Sequence, residues 1–271
     1  MDRKNQETAI NKILNSRKYR HLNLPRELIM DLFHKTTSKD YENKETVKTV
    51  KTKLHNIIAP YLDTLDYDQA KDELIAAVDN DDKESMHRCY RRFLRAHDST
   101  CERLRYFEEF FDYIFSKTGS DCCFLDLACG LNPFFLPIVT LPKNTNFIVY
   151  DIHEPRVELL DILFEKTGFP GQAVKQDILV QPPVLEVRAA FLFKEAHRIE
   201  KRESGASRKL IKALRTELVF LSLPTHSLRG NFDLTARMDR LVNLIIDGIA
   251  TLEETRAFES EMIYTIKKLH G

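Results

Sequence analysis

The stretch "FLDLACGLNPFFLP", Phe124 to Pro137, decides how the chain is read. An apolar run leads into Asp126. Three small or tight residues follow, Ala128, Cys129 and Gly130, then Asn132 and Pro133, and apolar residues resume. The pattern predicts a strand that ends in a tight loop and restarts as a helix. In an open α/β sheet, ligands bind outside the carboxyl ends of the strands, where the strand order switches. Small residues at 128–130 let the backbone approach such a ligand closely. The loop is a glycine-poor GxGxG, with Ala128 and Asn132 at two of the three glycine positions. It does not specify a ligand by itself.

The next two strands narrow the choice. "FIVYDIH" ends in Asp151, 25 residues after Asp126. An acid at the end of the second strand accepts both hydroxyls of an adenosine ribose. Capping the helix that begins near Pro155 is the competing role, and Asp151 lies too far upstream for it. "KQDIL" ends the third strand, where Asp177 can accept the adenine amino group and Ile178 can pack on the ring. Three strand ends in order point to a nucleoside cofactor. Neither GxGxxG nor GxxxxGK[ST] occurs, which disfavours NAD and ATP. S-adenosylmethionine carries no phosphate and tolerates a glycine-poor loop, so a methyltransferase is expected. Asp126, Ala128 and Gly130 belong to the cofactor loop in this reading.

Outward from the loop, the two halves of the chain differ in texture. No glycine precedes Gly119. "ETAINKILNSRKY", "LPRELIMDLFHK", "KETVKTVKTKLHNIIAPYL", "YDQAKDELIAAV" and "DKESMHRCYRRFLRAH" carry apolar residues at helical spacing. Residues 1–100 read as a helical domain. From about 120, short β-rich apolar runs alternate with helical stretches, and 101–271 read as an α/β domain. The fold class expected is α/β, a class I (Rossmann-like) methyltransferase sheet preceded by an all-helical N-terminal domain. Continuous rather than alternating hydrophobicity implies strands buried on both faces. "TRAFE" and "EMIYTIKK" suggest an antiparallel edge hairpin.

The bulk numbers fit a packed, soluble protein: 271 residues, 43% hydrophobic, 30% charged and a formal net charge of zero. Neutrality argues against a uniformly basic nucleic-acid coat but hides blocks. Residues 1–60 hold 13 Lys/Arg against 7 Asp/Glu, residues 61–85 hold 2 against 9, and residues 86–105 hold 6 against 2. Five cysteines with no CxxC and no Cys/His ligand spacing give no reason to expect a disulfide framework or a metal site. The polar start "MDRKNQETAI" and the lack of a long apolar run imply no signal peptide and no membrane span. A cytoplasmic protein is expected, and nothing demands more than a monomer.

Six segments of the second half, "DLACGLNPF" (126–134), "YDIH" (150–153), "QDIL" (176–179), "FLFK" (191–194), "SLPTHSLRG" (222–230) and "EMIYTIKK" (261–268), resemble the aminoglycoside-resistance 16S rRNA guanine-N7 methyltransferases. So do "ILNSRKYRHL", "VKTKLHNIIAPY" and "AHDSTCERLRYFEEFFDYIF" in the first half. The resemblance implies methyl transfer from S-adenosylmethionine to N7 of a decoding-site guanine in the small ribosomal subunit, giving resistance. It implies that Arg103 pairs with the cofactor carboxylate. Backbone around Ala128 and Gly130 would hold the methionine end, Asp151 and Ile152 the ribose, and Asp177 and Ile178 the adenine. Lys194 would act at the mouth of the site, near the rRNA. Contacts to rRNA would come from Lys51, Lys53, Arg91 and Arg92 in the helical domain and from Arg229, Arg237 and Met238 near the target segment. A second basic surface runs through Arg198, Lys201, Arg202, Arg208, Lys209, Lys212 and Arg215.

Guanine N7 has an exposed lone pair, so no base is needed and alignment suffices. The (Asp/Asn)-Pro-Pro-(Tyr/Phe) motif common among amine methylases is absent after the fourth strand, where the chain reads "FLFKEAHR". With no Trp present, a flipped guanine would stack on Phe, Tyr or Arg. The cofactor half keeps the family pattern. The target half departs from it, with "EAHRIEKRESG" after Lys194 and "NFDLTARMDRLVNLI" where a glycine- and lysine-rich stretch usually stands. Action at another rRNA position, or ribosome binding without turnover, therefore remain alternatives.

Overall fold

The computed structural model describes residues 2–36, 41–59, 63–227 and 232–269. The N-terminal helices are α1 (Asp2–Leu14), α2 (Arg26–His34), α3 (Lys44–Ile58), α4 (Tyr67–Asp79) and α5 (Lys83–Arg95). Side-chain caps set three of their starts. Asn43 accepts from the backbone N of Glu45 and Thr46, Asp66 from Gln69 and Asp82 from Ser85. Each satisfies amides that have no partner inside the first turn. Pro25 stands at the cap of α2, one residue before the helix proper. The short α6 (Asp98–Arg103) and α7 (Phe107–Thr118) lead to the sheet.

The sheet has seven strands: β1 (Cys123–Leu127), β2 (Asn146–Asp151), β3 (Gly171–Lys175), β4 (Glu186–Phe193), β5 (Arg215–Pro224), β6 (Ala250–Ala257) and β7 (Glu261–Lys268). Their order is β3-β2-β1-β4-β5-β7-β6, parallel except for β7, which runs antiparallel to both neighbours. The expected hairpin is present, with its second strand inserted next to β5 and its first at the edge. The order reverses between β1 and β4, so the end of β1 lies at the switch point. Crossovers include a 3-10 helix (Asn132–Ile138), α8 (Glu154–Thr167), α9 (Ala196–Arg202), α10 (Ala206–Ala213) and α11 (Thr235–Ile246). The sequence reading foresaw neither α9 nor α11.

Two apolar layers cover the sheet. Phe124, Phe147, Phe191 and Phe220 face α4, α5, α7, α8 and the 3-10 helix. Leu125, Ile148, Leu192 and Leu221 face α9, α10 and α11. Alternate residues of one strand thus serve opposite layers, which is why the central strands are apolar throughout. A separate cluster lies among residues 9–58 of α1–α3, with Ile152 packed against it. The apolar packing therefore divides after α3, because α4 and α5 give Ala70, Leu74, Tyr90 and Phe93 to the core of the sheet.

Phe191 stands at the centre of a cross-strand ring ladder. Its ring lies 5.1 Å from Phe124, 5.1 Å from Phe193 and 6.0 Å from Phe220, at 0% exposure. Truncating a buried Phe removes transfer energy and leaves a cavity. Phe191→Ala is expected to cost about 3–5 kcal/mol in urea unfolding. A loss below about 1 kcal/mol would show that the ladder does not support the sheet.

Candidate active site

The chain turns sharply after β1. Ala128 and Gly130 both have positive φ, 53° and 56°. Such a backbone strains alanine and suits glycine. A Cβ built on Gly130 would meet nothing within 4 Å, so its face of the loop is open. Asp126, 3% exposed, accepts from Asn132 Nδ2 at 2.7 Å. Asn132 Oδ1 in turn accepts from Arg103 Nη1 at 2.9 Å. The residue read as a substitute for glycine is thus a node that fixes the loop. Burial raises the Asp126 carboxyl to about 7, against the pull of Asn132 and Arg103.

Arg103, the last residue of α6, is 1% exposed. Its Nε and Nη2 donate to Oε1 and Oε2 of Glu261, both at 2.8 Å. The rings of Phe110 and Phe193 lie 4.6 and 5.0 Å from the guanidinium carbon. Glu261, fully buried at the start of β7, also accepts from Tyr106 Oη at 3.0 Å. Burial alone would raise its pKa, but Arg103 more than offsets that and holds it low. Glu261 was not singled out from sequence, since 158 residues separate it from Arg103. Three of the five guanidinium N–H bonds go to Glu261 and Asn132, and the other two have no hydrogen-bond partner among the described residues.

Asp151 and Asp177 are 5% and 1% exposed. Asp151 Oδ2 accepts from the backbone N of Gly130 at 3.0 Å and from Arg156 Nη1 at 2.9 Å, and Oδ1 accepts from His153 N at 2.9 Å. Asp177 follows β3 by two residues and accepts from Arg202 Nη2 at 2.7 Å and from Leu179 N at 2.9 Å. Arg202 Nη2 also lies 3.6 Å from Asp31 Oδ2 in α2. Ile178 is buried in the layer with α9 and α10. Ile152, expected against a ribose, is half-buried and meets the core of the N-terminal helices.

Lys194 directly follows β4 with a φ of 53°, an uncommon conformation for a residue with a side chain. Its amide donates to Ser222 O at 2.9 Å. Its ammonium reaches Glu102 Oε2 at 2.5 Å and Ser260 Oγ at 3.1 Å. Beside it, the His197 imidazole is pushed down to about 4 by burial and by Arg198, Lys201, Arg237 and Lys194, so it is neutral.

The other expected rRNA contacts divide. Arg91 and Arg237 are exposed, and Lys51 and Lys53 are half-buried, with Lys53 Nζ 3.1 Å from Lys35 O. Arg92 is held by an ion pair with Glu73. Arg229 lies outside the described residues. Met238 does not fit an rRNA contact: at 4% exposure it packs in the core layer beneath α11. Arg202 likewise leaves the basic surface, because its side chain, 13% exposed, turns inward to Asp177.

Strand order, the positive-φ loop and a row of buried acids at successive strand ends define a class I methyltransferase fold. A family model described as ribosomal RNA methyltransferase (FmrO) matches residues 15–243, and the chain belongs to that family. The 16S rRNA (guanine(1405)-N(7))-methyltransferase of Frankia casuarinae is 30% identical over 190 residues, 69% of this chain and 67% of that protein. The enzyme of the same name from Serratia marcescens is 27% identical over 265 residues, 97% and 99% of the two chains. The crystal structure of 16S rRNA methyltransferase RmtF in complex with S-adenosyl-L-homocysteine shares the fold, with a TM-score of 0.81, 23% identity and 98% of each chain covered.

The raised Asp126 carboxyl has a consequence for stability. An ordinary Asp titrates near 4, so between about 4 and 7 the folded state binds the extra proton. Stability contributed by this group therefore falls as pH rises through that window and is level above it. Asp126→Asn removes the slope while leaving an oxygen for Asn132. The melting temperature of the parent is expected to drop more between pH 5 and 8 than that of the variant. Parallel curves would show that Asp126 is ionised throughout.

Proposed function

We propose that the protein transfers a methyl group from S-adenosylmethionine to N7 of guanine 1405 of 16S rRNA in the small ribosomal subunit, giving aminoglycoside resistance. The observation that carries this reading is the set of three buried acids, Asp126, Asp151 and Asp177, at the ends of the adjacent strands β1, β2 and β3, beside a loop open at Gly130. It is supported by the relatives of that name. The donor set fits the cofactor. Arg103 takes the carboxylate through its remaining N–H bonds, and the loop at Ala128 and Gly130 lies along the methionine chain. Asp151 with Ile152 takes the ribose, and Asp177 with Ile178 takes the adenine. When bound, the cofactor supplies an electrophilic methyl group on a sulfonium.

The protein side then has to orient the base and exclude water. Guanine N7 carries no proton, and the neutral His197 agrees with a site that needs no strong base. Lys194, held at the end of β4 by Ser222, exchanges Glu102 for guanine O6, the acceptor next to N7. The helical residues 1–100 dock on rRNA, with Lys51, Lys53, Arg91 and Arg92 meeting phosphates, and Arg237 does so from α11. Phosphate contacts fix the register without reading sequence. No helix among the described residues is long and apolar enough to cross a membrane. The working form is a cytoplasmic monomer.

The test is tritiated S-adenosylmethionine offered with intact unmodified small subunits, protein-free 16S rRNA and large subunits in separate tubes. Cleavage at N7-methylguanine then maps the position. Label on intact small subunits alone, at guanine 1405, is expected. Label at another position would replace the target, and no label on any substrate would leave a binding protein. Asp151→Ala is expected to weaken S-adenosylhomocysteine binding by about 10- to 100-fold, the usual loss for hydrogen bonds to a charged group. Lys194→Ala is expected to lower turnover by about 100-fold, as misplacing a reacting group does, while that binding persists. If neither variant changes methylation, these site assignments fail.

A further inference from the structure

Arg156 is 3% exposed and lies near the start of α8. Its Nη1 donates to Asp151 Oδ2 at 2.9 Å. Its Nη2 donates to Asp63 Oδ2 at 2.9 Å, and its Nε donates to Tyr67 Oη at 3.0 Å. Tyr67 Oη donates to the same Asp63 oxygen at 2.5 Å. The Asp63 side chain is 2% exposed. One cation is thus shared by two buried carboxylates, one at the end of β2 and one just before α4. Replacing a whole buried ion network by well-packed apolar residues is often neutral for stability, so stability alone does not account for a buried charge network here.

We propose that Arg156 is a positioning residue for cofactor binding, holding Asp151 ionised and aimed out of the end of β2, and that Asp63 and Tyr67 hold Arg156 in turn. This rests on the reading of Asp151 as the ribose acceptor. Arg156 acts through Asp151 and does not touch the cofactor. Two ribose hydroxyls donate, and a carboxylate accepts from both only while it is ionised.

The groups facing Asp151 single out Arg156. His153, from the start of α8, is neutral, its pKa lowered to about 4 chiefly by burial. Asp126 on β1 is raised by burial, and so is the Cys129 thiol in the loop after it. Tyr67 is raised by burial and stays protonated. Asp63 lies behind Arg156 and adds only negative charge. Burial alone would raise Asp151 as well, and the Arg156 guanidinium reverses that. Removing the cation leaves a desolvated carboxyl whose pKa rises, so that it takes up a proton more readily as pH falls and loses an acceptor.

The experiment is calorimetric titration of S-adenosylhomocysteine into the full chain at about pH 6, 7 and 8, for the parent, Arg156→Gln, Arg156→Lys and Asp151→Asn. The parent, in which Asp126 itself titrates at about 7, is the reference, and each variant's profile is read relative to it. Arg156→Gln should bind at least about tenfold more weakly near pH 7, and weaker still as pH falls. Arg156→Lys, which keeps the charge but not the fork, should follow the parent's profile and be several-fold weaker. Asp151→Asn should lose most binding. If Asp151→Asn binds like the parent, the ribose reading falls and this proposal with it. If Asp151→Asn has lost binding while Arg156→Gln is as tight as the parent at every pH, the role of Arg156 alone is overturned. A loss in Arg156→Gln that is equal at every pH would reduce Arg156 to packing and overturn it too. Should Arg156→Gln fail to fold, the Arg156→Met/Asp63→Asn double variant, which removes the cation without leaving Asp63 unpaired, is titrated in its place: a loss that deepens as pH falls supports the proposal, and parent-like binding or a loss equal at every pH overturns it.

Discussion

Three carboxylates buried at the ends of adjacent strands are the constraint around which the rest of the molecule is arranged. An isolated buried carboxylate is costly and protonates instead. The three are not answered alike. Asp151 receives a guanidinium from Arg156 and is held ionised. Asp177 receives one from Arg202. Asp126 receives only the amide of Asn132 and is driven up to about 7. The same fold feature, an acid closing a strand, thus gives charged and near-neutral groups side by side. The difference lies in which neighbour brings a full positive charge.

Those neighbours reach back to the N-terminal half. Arg156 is braced by Asp63, and Arg202 lies near Asp31 of α2. Lys194 meets Glu102 on α6. The backbone N of Glu154 donates to Leu22 O at 3.2 Å, and Ile152 sits on the core of α1–α3. The helices and the strand ends are therefore one polar structure, although the apolar core of α1–α3 is separate from the layers of the sheet. An RNA-docking role for the helices and a cofactor role for the strand ends would be mechanically connected through these charges.

Strand ends were legible in the sequence because each apolar run has a short period and a clear stop. Asp126, Asp151, Asp177 and Lys194 all fall at such stops, and all four stand where the pattern put them. Arg103 was found through its motif, but its partner Glu261 was not. Nothing local in "FESEMIY" marks a residue that a chain fold brings to within 2.8 Å of α6. Arg156 and Arg202 were invisible for a related reason. In sequence, an arginine on an amphipathic helix looks the same whether it points to solvent or turns inward to a carboxylate. The loop residue Asn132 was read as a stand-in for a glycine, whereas its amide, able to donate and accept at once, is what the fold uses.

The segment 232–246 shows how the same ambiguity affects recognition of the target. Its departure from the family pattern suggests a lost contact surface. Its folded form is α11, with Met238, Val242, Ile245 and Ile246 turned into the layer beneath the sheet. Those positions recur at helical spacing, so core packing fixes their character. Divergence is left to the outer face, where Arg237, Arg240 and Leu244 are exposed, and to Phe232 before the helix, 71% exposed. The Met238 that sequence similarity offered to the RNA is spent on holding the helix down, with Asp239 taking the Tyr264 hydroxyl at 2.8 Å. Whatever α11 offers to a nucleic acid lies on its exposed face, which carries Arg237 and Arg240, rather than at Met238.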